Sequence, residues 1–280
     1  MSHLEQTSAI EIKDTRISFS EAGKGAPLLL LHGNPGSRKD FSAISEKIAS
    51  DNLRCIFLDR PGHMSSEEII YDAPDYWLET EIYAEFIDKK ANGKTWIAGY
   101  SMGSFVAGKI AEKYPEKVKG LILIAPYLLP DNKSEKPSSI PELAKGALLG
   151  TLLGALLPIL SQNKMTDHLK KVFHPQALPE EYLETWLPRY TRFETLMAMM
   201  NDKNSMLKIL DEVHEKLAEI KCPVHVIIGK EDKVCSSQNQ INLIKEKLSQ
   251  AEITELENAG HGLPLTHATE CADIIRKIIA

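Results

Sequence analysis

Five residues, Gly99-Tyr100-Ser101-Met102-Gly103, carry the sharpest chemical signal in the chain. They follow a strand-like run, TWIA, and precede a helical stretch, FVAGKIAEKY. A G-x-S-x-G between strand and helix makes a tight turn that lifts the serine hydroxyl to the strand's carboxyl end. The glycines leave room for neighbouring backbone, and the helix N-terminus favours negative charge developing beside Ser101. The chemistry this suits is attack by the Ser101 hydroxyl on an acyl carbon.

A serine hydroxyl is a weak nucleophile at neutral pH and needs a positioned base. Of nine histidines, His261 is best placed, because Glu257-Asn258-Ala259-Gly260-His261-Gly262 comes directly after the last strand-like run. His225 lies inside a strand run and reads as a core or edge residue. His63, His168, His174 and His214 read as solvated or structural, and His3 and His267 have no supporting context. The base in turn needs a carboxylate to fix its tautomer and stabilise the imidazolium. Asp232, in Gly229-Lys230-Glu231-Asp232 after the run VHVII, is the first choice; Asp131, beyond the run LILIA, could reach the same histidine.

A tetrahedral oxyanion also needs donors. Leu31-His32-Gly33-Asn34-Pro35-Gly36 follows the apolar run PLLLL and offers the Asn34 N–H, whereas Pro35 has none to give. The second donor is the N–H of Met102. His32 reads as a hydrogen-bonding support for this loop rather than a second base.

The elements that must position these groups are visible as short apolar runs: Pro27–Leu31, Cys55–Leu58, Thr95–Ala98 and Leu121–Ala125, then Val224–Ile228 and Ile253–Leu256. Amphipathic stretches lie between them, at Asp40–Ala49, Tyr76–Lys89 and Gln240–Leu248, with a closing helix at Ala268–Ile279. Continuous apolar strands alternating with helices imply an α/β fold with a parallel sheet. Ile10–Ile12 and Ile17–Ser20 suit an antiparallel edge. From Tyr127 to Asn204 the strand signal vanishes, behind a stretch containing Pro126, Pro130, Pro137 and Pro141. The expected organisation is therefore a core of residues 1–126 and 205–280, interrupted by a helical insertion, 127–204.

Composition narrows the partners. With 26% charged residues and a net charge of −6, the chain lacks the basic face that nucleic acid or an anionic membrane requires of its main partner. Cys55, Cys222, Cys235 and Cys271 form no CxxC pair and read as free thiols in a reducing compartment. The first residues, MSHLEQTSAIEIKD, lack a basic n-region followed by an apolar core, so the expected location is the cytoplasm. No metal or cofactor is expected.

The motifs HGNPG, DRPGH (Asp59 to His63), GYSMG, GKED and NAGHG, in that order, resemble those of the α/β-hydrolase fold superfamily, in its serine-hydrolase branch. The resemblance spans nearly the whole chain. It implies a three-layer α/β fold with a mostly parallel eight-stranded sheet and a helical cap inserted after the sixth strand. It carries over Ser101, Asp232 and His261 as the catalytic triad, with Asn34 and Met102 as oxyanion donors. Ser104 departs from the pattern, since many relatives have a second glycine there. DRPGHMSS departs too, where relatives often show a further glycine.

HGNPG and the cap also resemble haloalkane dehalogenases and epoxide hydrolases, which use an aspartate nucleophile. Ser101 on an alkyl carbon would leave an ether that an activated water does not open, so the serine points to acyl chemistry. The expected activity is that of a carboxylesterase; a carbon–carbon bond hydrolase, a proline-type aminopeptidase and a non-catalytic binder are the alternatives. Cap acids Glu180, Glu181, Glu184 or Glu194 would have to hold the amine in the aminopeptidase reading.

Residues 146 to 160 read GALLGTLLGALLPIL, without a charge. A spanning helix needs about 20 apolar residues, and this segment falls short. Gly146, Gly150 and Gly154 recur every four residues, so one face allows close helix packing within the cap. The same helix could instead turn leucines toward the active site or a lipid interface. Leu148, Leu152 and Leu156, with Trp186 and Tyr190 from the later cap, are the expected lining of a greasy pocket for a small-molecule substrate with an apolar portion.

Overall fold

Eight strands form one sheet, ordered β1-β2-β4-β3-β5-β6-β7-β8, in a computed structural model that describes residues 7–66, 76–131 and 135–279. His3 and the start of the N-terminal segment lie outside the described residues. The strands are β1 (Ser8–Ile12), β2 (Thr15–Ala22), β3 (Ala26–Leu31), β4 (Leu53–Leu58), β5 (Thr95–Tyr100), β6 (Val118–Ile124), β7 (Val224–Gly229) and β8 (Glu252–Leu256). From β4 to β8 every pairing is parallel, while β1 pairs β2 and β2 pairs β4 antiparallel. Leu28 to Leu31 and all of β5 are buried, as strands covered on both faces must be.

Two apolar clusters flank the sheet. One gathers Ile97, Phe105, Val106 and Ile110 on the side of α2 (Tyr76–Lys90) and α3 (Met102–Lys113). The other gathers Leu30, Phe41, Ile44 and Ile275 on the side of α1 (Ser42–Ile48) and α11 (Ala268–Ile279). Helix, sheet and helix make three layers. A short 3-10 turn, Arg38–Phe41, precedes α1 and occupies the start of the expected amphipathic stretch.

Between β6 and β7 the described chain is helical: α4 (Ile140–Ala144), α5 (Ala147–Leu160), α6 (Gln162–Phe173), α7 (Glu180–Tyr190) and α8 (Phe193–Lys216). These helices share a third cluster built on Met165, Leu169, Tyr190, Leu196 and Met197. The expected boundary at 204/205 falls inside α8, which runs without a break from the insertion into the core. Its C-terminal half packs Met206 and Val213 into the sheet-side cluster. The remaining helices are α9 (Ser237–Lys247) and α10 (Leu263–Thr266).

Strand order explains where a site can form. From β3 the chain turns one way to β4 and the other way to β5, so the connections leaving β3 and β5 diverge above their carboxyl ends. Such a switch point leaves a crevice there. The loop holding Asn34 leaves β3 and the turn holding Ser101 leaves β5.

Candidate active site

Ser101 joins β5 to α3 at φ 53°, ψ −120°, a region that non-glycine residues rarely enter. The surrounding glycines make that turn possible. A Cβ on Gly103 would strike the carbonyls of Leu31 and His32, and one on Gly99 would strike Gly103 and Ser104. Ser104, one of the departures from the family pattern, donates its hydroxyl to the Gly99 carbonyl at 2.7 Å and ties the turn shut.

Three side chains meet above this turn. Ser101 Oγ lies 2.9 Å from His261 Nε2, and His261 Nδ1 lies 2.6 Å from Asp232 Oδ2. All three are buried at their side chains. The other Asp232 oxygen accepts the N–H groups of Val234 and Cys235 at 2.7 and 3.0 Å. Burial pushes the Asp232 carboxyl up, but His261 beside it and these donors outweigh that and hold it below the usual range. Asp131 is elsewhere: both its oxygens accept the Ser236 N–H at 3.0 Å, at the start of α9.

The loop after β3 closes over Ser101, because a Cβ on Gly33 would sit 3.0 Å from Ser101 Cβ. His32 supports this loop. Its Nε2 accepts the Arg60 N–H at 2.9 Å, so Nδ1 carries the proton and donates to the Gly33 carbonyl at 2.8 Å. Burial, with His63 and Arg60 nearby, holds its pKa well below the ordinary value. Among the described residues, no group occupies the backbone N–H of Asn34 or of Met102. The Asn34 side chain donates to the Met199 carbonyl of α8 at 3.0 Å, fastening the loop to the insertion.

Asp232, Cys235 and His261 bring ligand-type atoms within 4.8 Å of one another. Burial and the adjacent Asp232 push the Cys235 thiol up. His261 Nδ1 and Asp232 are already joined to each other.

A cavity of about 30 Å³ opens beside Ser101 and His261. Its floor includes Asn34, Asp40 and Tyr100; its roof comes from α6 (His168, Leu169, Val172) and α7 (Tyr182, Tyr190). Tyr190 therefore lies where the sequence places it. Trp186 does not: it stacks behind Tyr190, with ring centroids 5.5 Å apart. Leu148, Leu152 and Leu156 point outward, and Leu148 is 84% exposed. No residue of α5 is buried. The leucines spread over half of the helix, from exposed Leu148 and Leu152 round to half-buried Leu153 and Leu157, so apolar periodicity alone did not mark the inner face. Of its glycines, only Gly150 abuts a neighbour, the Ala144 carbonyl. The cavity wall is consequently less greasy than expected.

Two cavity residues had no site role in the sequence: Asp40, and His168, which reads there as solvated or structural. Burial, with His261 near, lowers His168 to about 4, so its imidazole is neutral at pH 7. His63 is buried rather than solvated and lies 3.1 Å from Asp202 of α8. Glu180, Glu181, Glu184 and Glu194 are exposed on the insertion and line no part of this cavity.

Among described residues, no helix is long and apolar enough to cross a membrane. Comparison with known proteins places this geometry in context. A monoacylglycerol lipase of Mus musculus is 25% identical over 268 residues, covering 92% of this chain and 76% of its own. A 2-hydroxy-6-oxononadienedioate/2-hydroxy-6-oxononatrienedioate hydrolase of Burkholderia vietnamiensis is 26% identical over 266 residues, covering 91% of this chain and 88% of its own. A thermophilic esterase from Thermogutta terrifontis superposes with a TM-score of 0.78 at 22% identity, covering 98% of both chains. A family model described as alpha/beta hydrolase fold matches residues 26–268, from the start of β3 to the start of α11. A match of that extent, on a sheet of this order, makes the chain a member of the alpha/beta hydrolase fold family.

Proposed function

We propose that this chain is a serine hydrolase of carboxylic esters with an apolar acyl or alcohol part, working through an acyl-enzyme on Ser101. The observation that carries this reading is the hydrogen-bonded relay Ser101–His261–Asp232 at 2.9 and 2.6 Å, at the edge of the cavity. In this mechanism His261 Nε2 takes the Ser101 proton as Oγ bonds to the carbonyl carbon. Asp232 stabilises the imidazolium, and the N–H groups of Asn34 and Met102 receive the negative oxygen. The imidazolium then protonates the departing alcohol. A water, deprotonated by the same nitrogen, opens the acyl-enzyme and returns Ser101 to its hydroxyl form.

The named substrate of the Burkholderia relative is a dioate, with two carboxylates. Among the described residues no Lys or Arg lines the cavity to pair with one, which favours the ester reading over carbon–carbon bond hydrolysis. The glutamates of α7 expected to hold an amine in the aminopeptidase reading are exposed and do not line the cavity.

A cavity of about 30 Å³ holds roughly one water. Substrate entry therefore requires α6 and α7 to move off the Asn34 loop, in the manner of a cap. The outward leucines of α5 supply that cap with an apolar surface that meets a lipid phase, where esters with apolar arms concentrate.

The test is intact-mass detection of an acyl adduct on Ser101 across a panel of esters and amides. Ser101→Ala should abolish the adduct and lower ester turnover by at least about 10³-fold. Turnover that survives this substitution sinks the proposal.

A further inference from the structure

Asp40 is a carboxylic acid at the cavity that the proposed reaction does not use. It lines the same space as Ser101 and His261 and is 4% exposed. Its Oδ2 accepts the Ser37 N–H at 3.1 Å, completing a capping box on the turn Arg38–Phe41. Capping needs only an acceptor oxygen, which asparagine supplies as well. A buried acid carries a desolvation cost that an amide does not.

Ser37 donates to Asp40, but among the described residues no cation pairs with its charge. Arg38 is turned to Asp59, which takes both its guanidinium and its backbone N–H. His32, whose Nδ1 and Asp40 Oδ2 both border Gly36, is held neutral. Tyr100 from β5 and Tyr182 and Tyr190 from α7 are phenols whose ionisation is pushed up by burial and by Asp40 itself. Burial raises the Asp40 carboxyl to about 7, with Asp59 adding to the rise and the Ser37 N–H opposing it. Two imidazoles line this space: His168, which is neutral, and His261, whose ring nitrogens are already engaged by Asp232 and Ser101.

We propose that Asp40 sets the charge selectivity of the cavity, admitting esters whose arms are neutral and rejecting those that carry an anionic arm. The proposal rests on the ester-hydrolase reading for its substrate class, but it concerns binding and is measurable without turnover. An anionic arm would be stripped of water beside a carboxyl, with no cation to pair with it. When Asp40 is protonated it offers an O–H donor and the penalty shrinks. When it ionises, like charges face each other. Rejection of anions therefore grows as pH rises through neutrality.

The experiment compares two ligands of equal length, monoethyl adipate and the corresponding ester with a terminal amide. Binding is measured by titration calorimetry on Ser101→Ala protein, with and without Asp40→Asn, at about pH 6 and about pH 8. The preference for the amide should rise by about tenfold between the two pH values, and Asp40→Asn should remove that rise. A purely structural role for Asp40 would shift both ligands together and leave the preference independent of pH. An unchanged preference across pH, a rise that survives Asp40→Asn, or no binding of the amide ligand overturns the proposal. Asp40→Ser, which can also cap, replaces Asp40→Asn if that variant does not fold. Wild-type turnover of the amide-ended ester is followed in parallel. Its absence would sink the ester-hydrolase reading and leave the binding comparison to judge Asp40.

Discussion

Ser101 and Asp40 are both held in costly states, for different reasons. Ser101 is strained in its backbone, with φ at 53°, and the turn is kept by glycine contacts and the Ser104 hydroxyl. Such strain persists only where surrounding structure overdetermines it. Asp40 is strained electrostatically. Its folded pKa lies near 7, above the ordinary carboxyl value, so the folded state holds a proton that the unfolded state releases. Stability is then lost as pH rises from the unfolded value toward 7, by up to about 1.4 kcal/mol per pH unit. Asp40→Asn should remove that loss. Thermal unfolding should show the variant gaining Tm on the wild type between about pH 5 and pH 8, and a constant difference would refute the assignment.

At the scale of elements, α3 and α5 show opposite uses of glycine. On α3, Gly103 faces the carbonyls of Leu31 and His32, so this helix packs against the end of β3 with no space to spare. Gly103→Ala should cost about 1–3 kcal/mol and reduce turnover as Ser101 is displaced; denaturant unfolding beside an activity assay checks both. On α5, a Cβ at Gly154 would meet nothing. Leu148, Leu152 and Leu156 are solvent-facing, so replacing them with serine should alter stability by no more than about 0.5 kcal/mol per site. The same triple variant should hydrolyse a vesicle-borne long-chain ester more slowly than wild type while a short soluble ester is unaffected. Equal rates on both would remove the lipid-surface role.

For the whole molecule, one buried ionic network joins the insertion to the core. Arg60, after β4, pairs with Glu79 of α2 through two nitrogens at 2.9 and 3.1 Å. Its third nitrogen lies 2.9 Å from Asp202 of α8, close enough for an ionic contact though not aligned as a hydrogen bond. His63 reaches the same Asp202 oxygen, and Tyr83 donates to Glu79 at 2.8 Å. Burial pushes Asp202 up, but Arg60 and His63 outweigh it and hold the carboxyl below its usual range. Removing one partner of a buried pair costs about 3–5 kcal/mol. Asp202→Asn should therefore lower Tm clearly and speed proteolysis of the insertion; a variant as stable as wild type would show that α8 is held by apolar packing alone.

Several features were legible in the sequence because their causes are local. Continuous apolar runs marked the parallel strands, since a strand covered on both faces needs no polar side. Glycines marked the turn at Ser101, since only they leave room for the backbone around it. Ser101, Asp232, His261 and Asn34 were nameable because each directly follows a strand run, and strand ends converge where the sheet order reverses. Other features depend on contacts that no local pattern encodes. Asp202 meets His63 across 139 residues, and nothing near either one announces the other. Asp40 reads as an ordinary surface cap until the roof from α6 and α7 covers it. The leucines of α5 spread over half its circumference, so only its packing beside α4, α6 and α8 decided that Leu148 faces out and that the cavity wall mixes phenol, imidazole and acid with Leu169 and Val172. Local chemistry selects the element and the reacting groups; burial, which sets charge and specificity, is a property of the assembled fold.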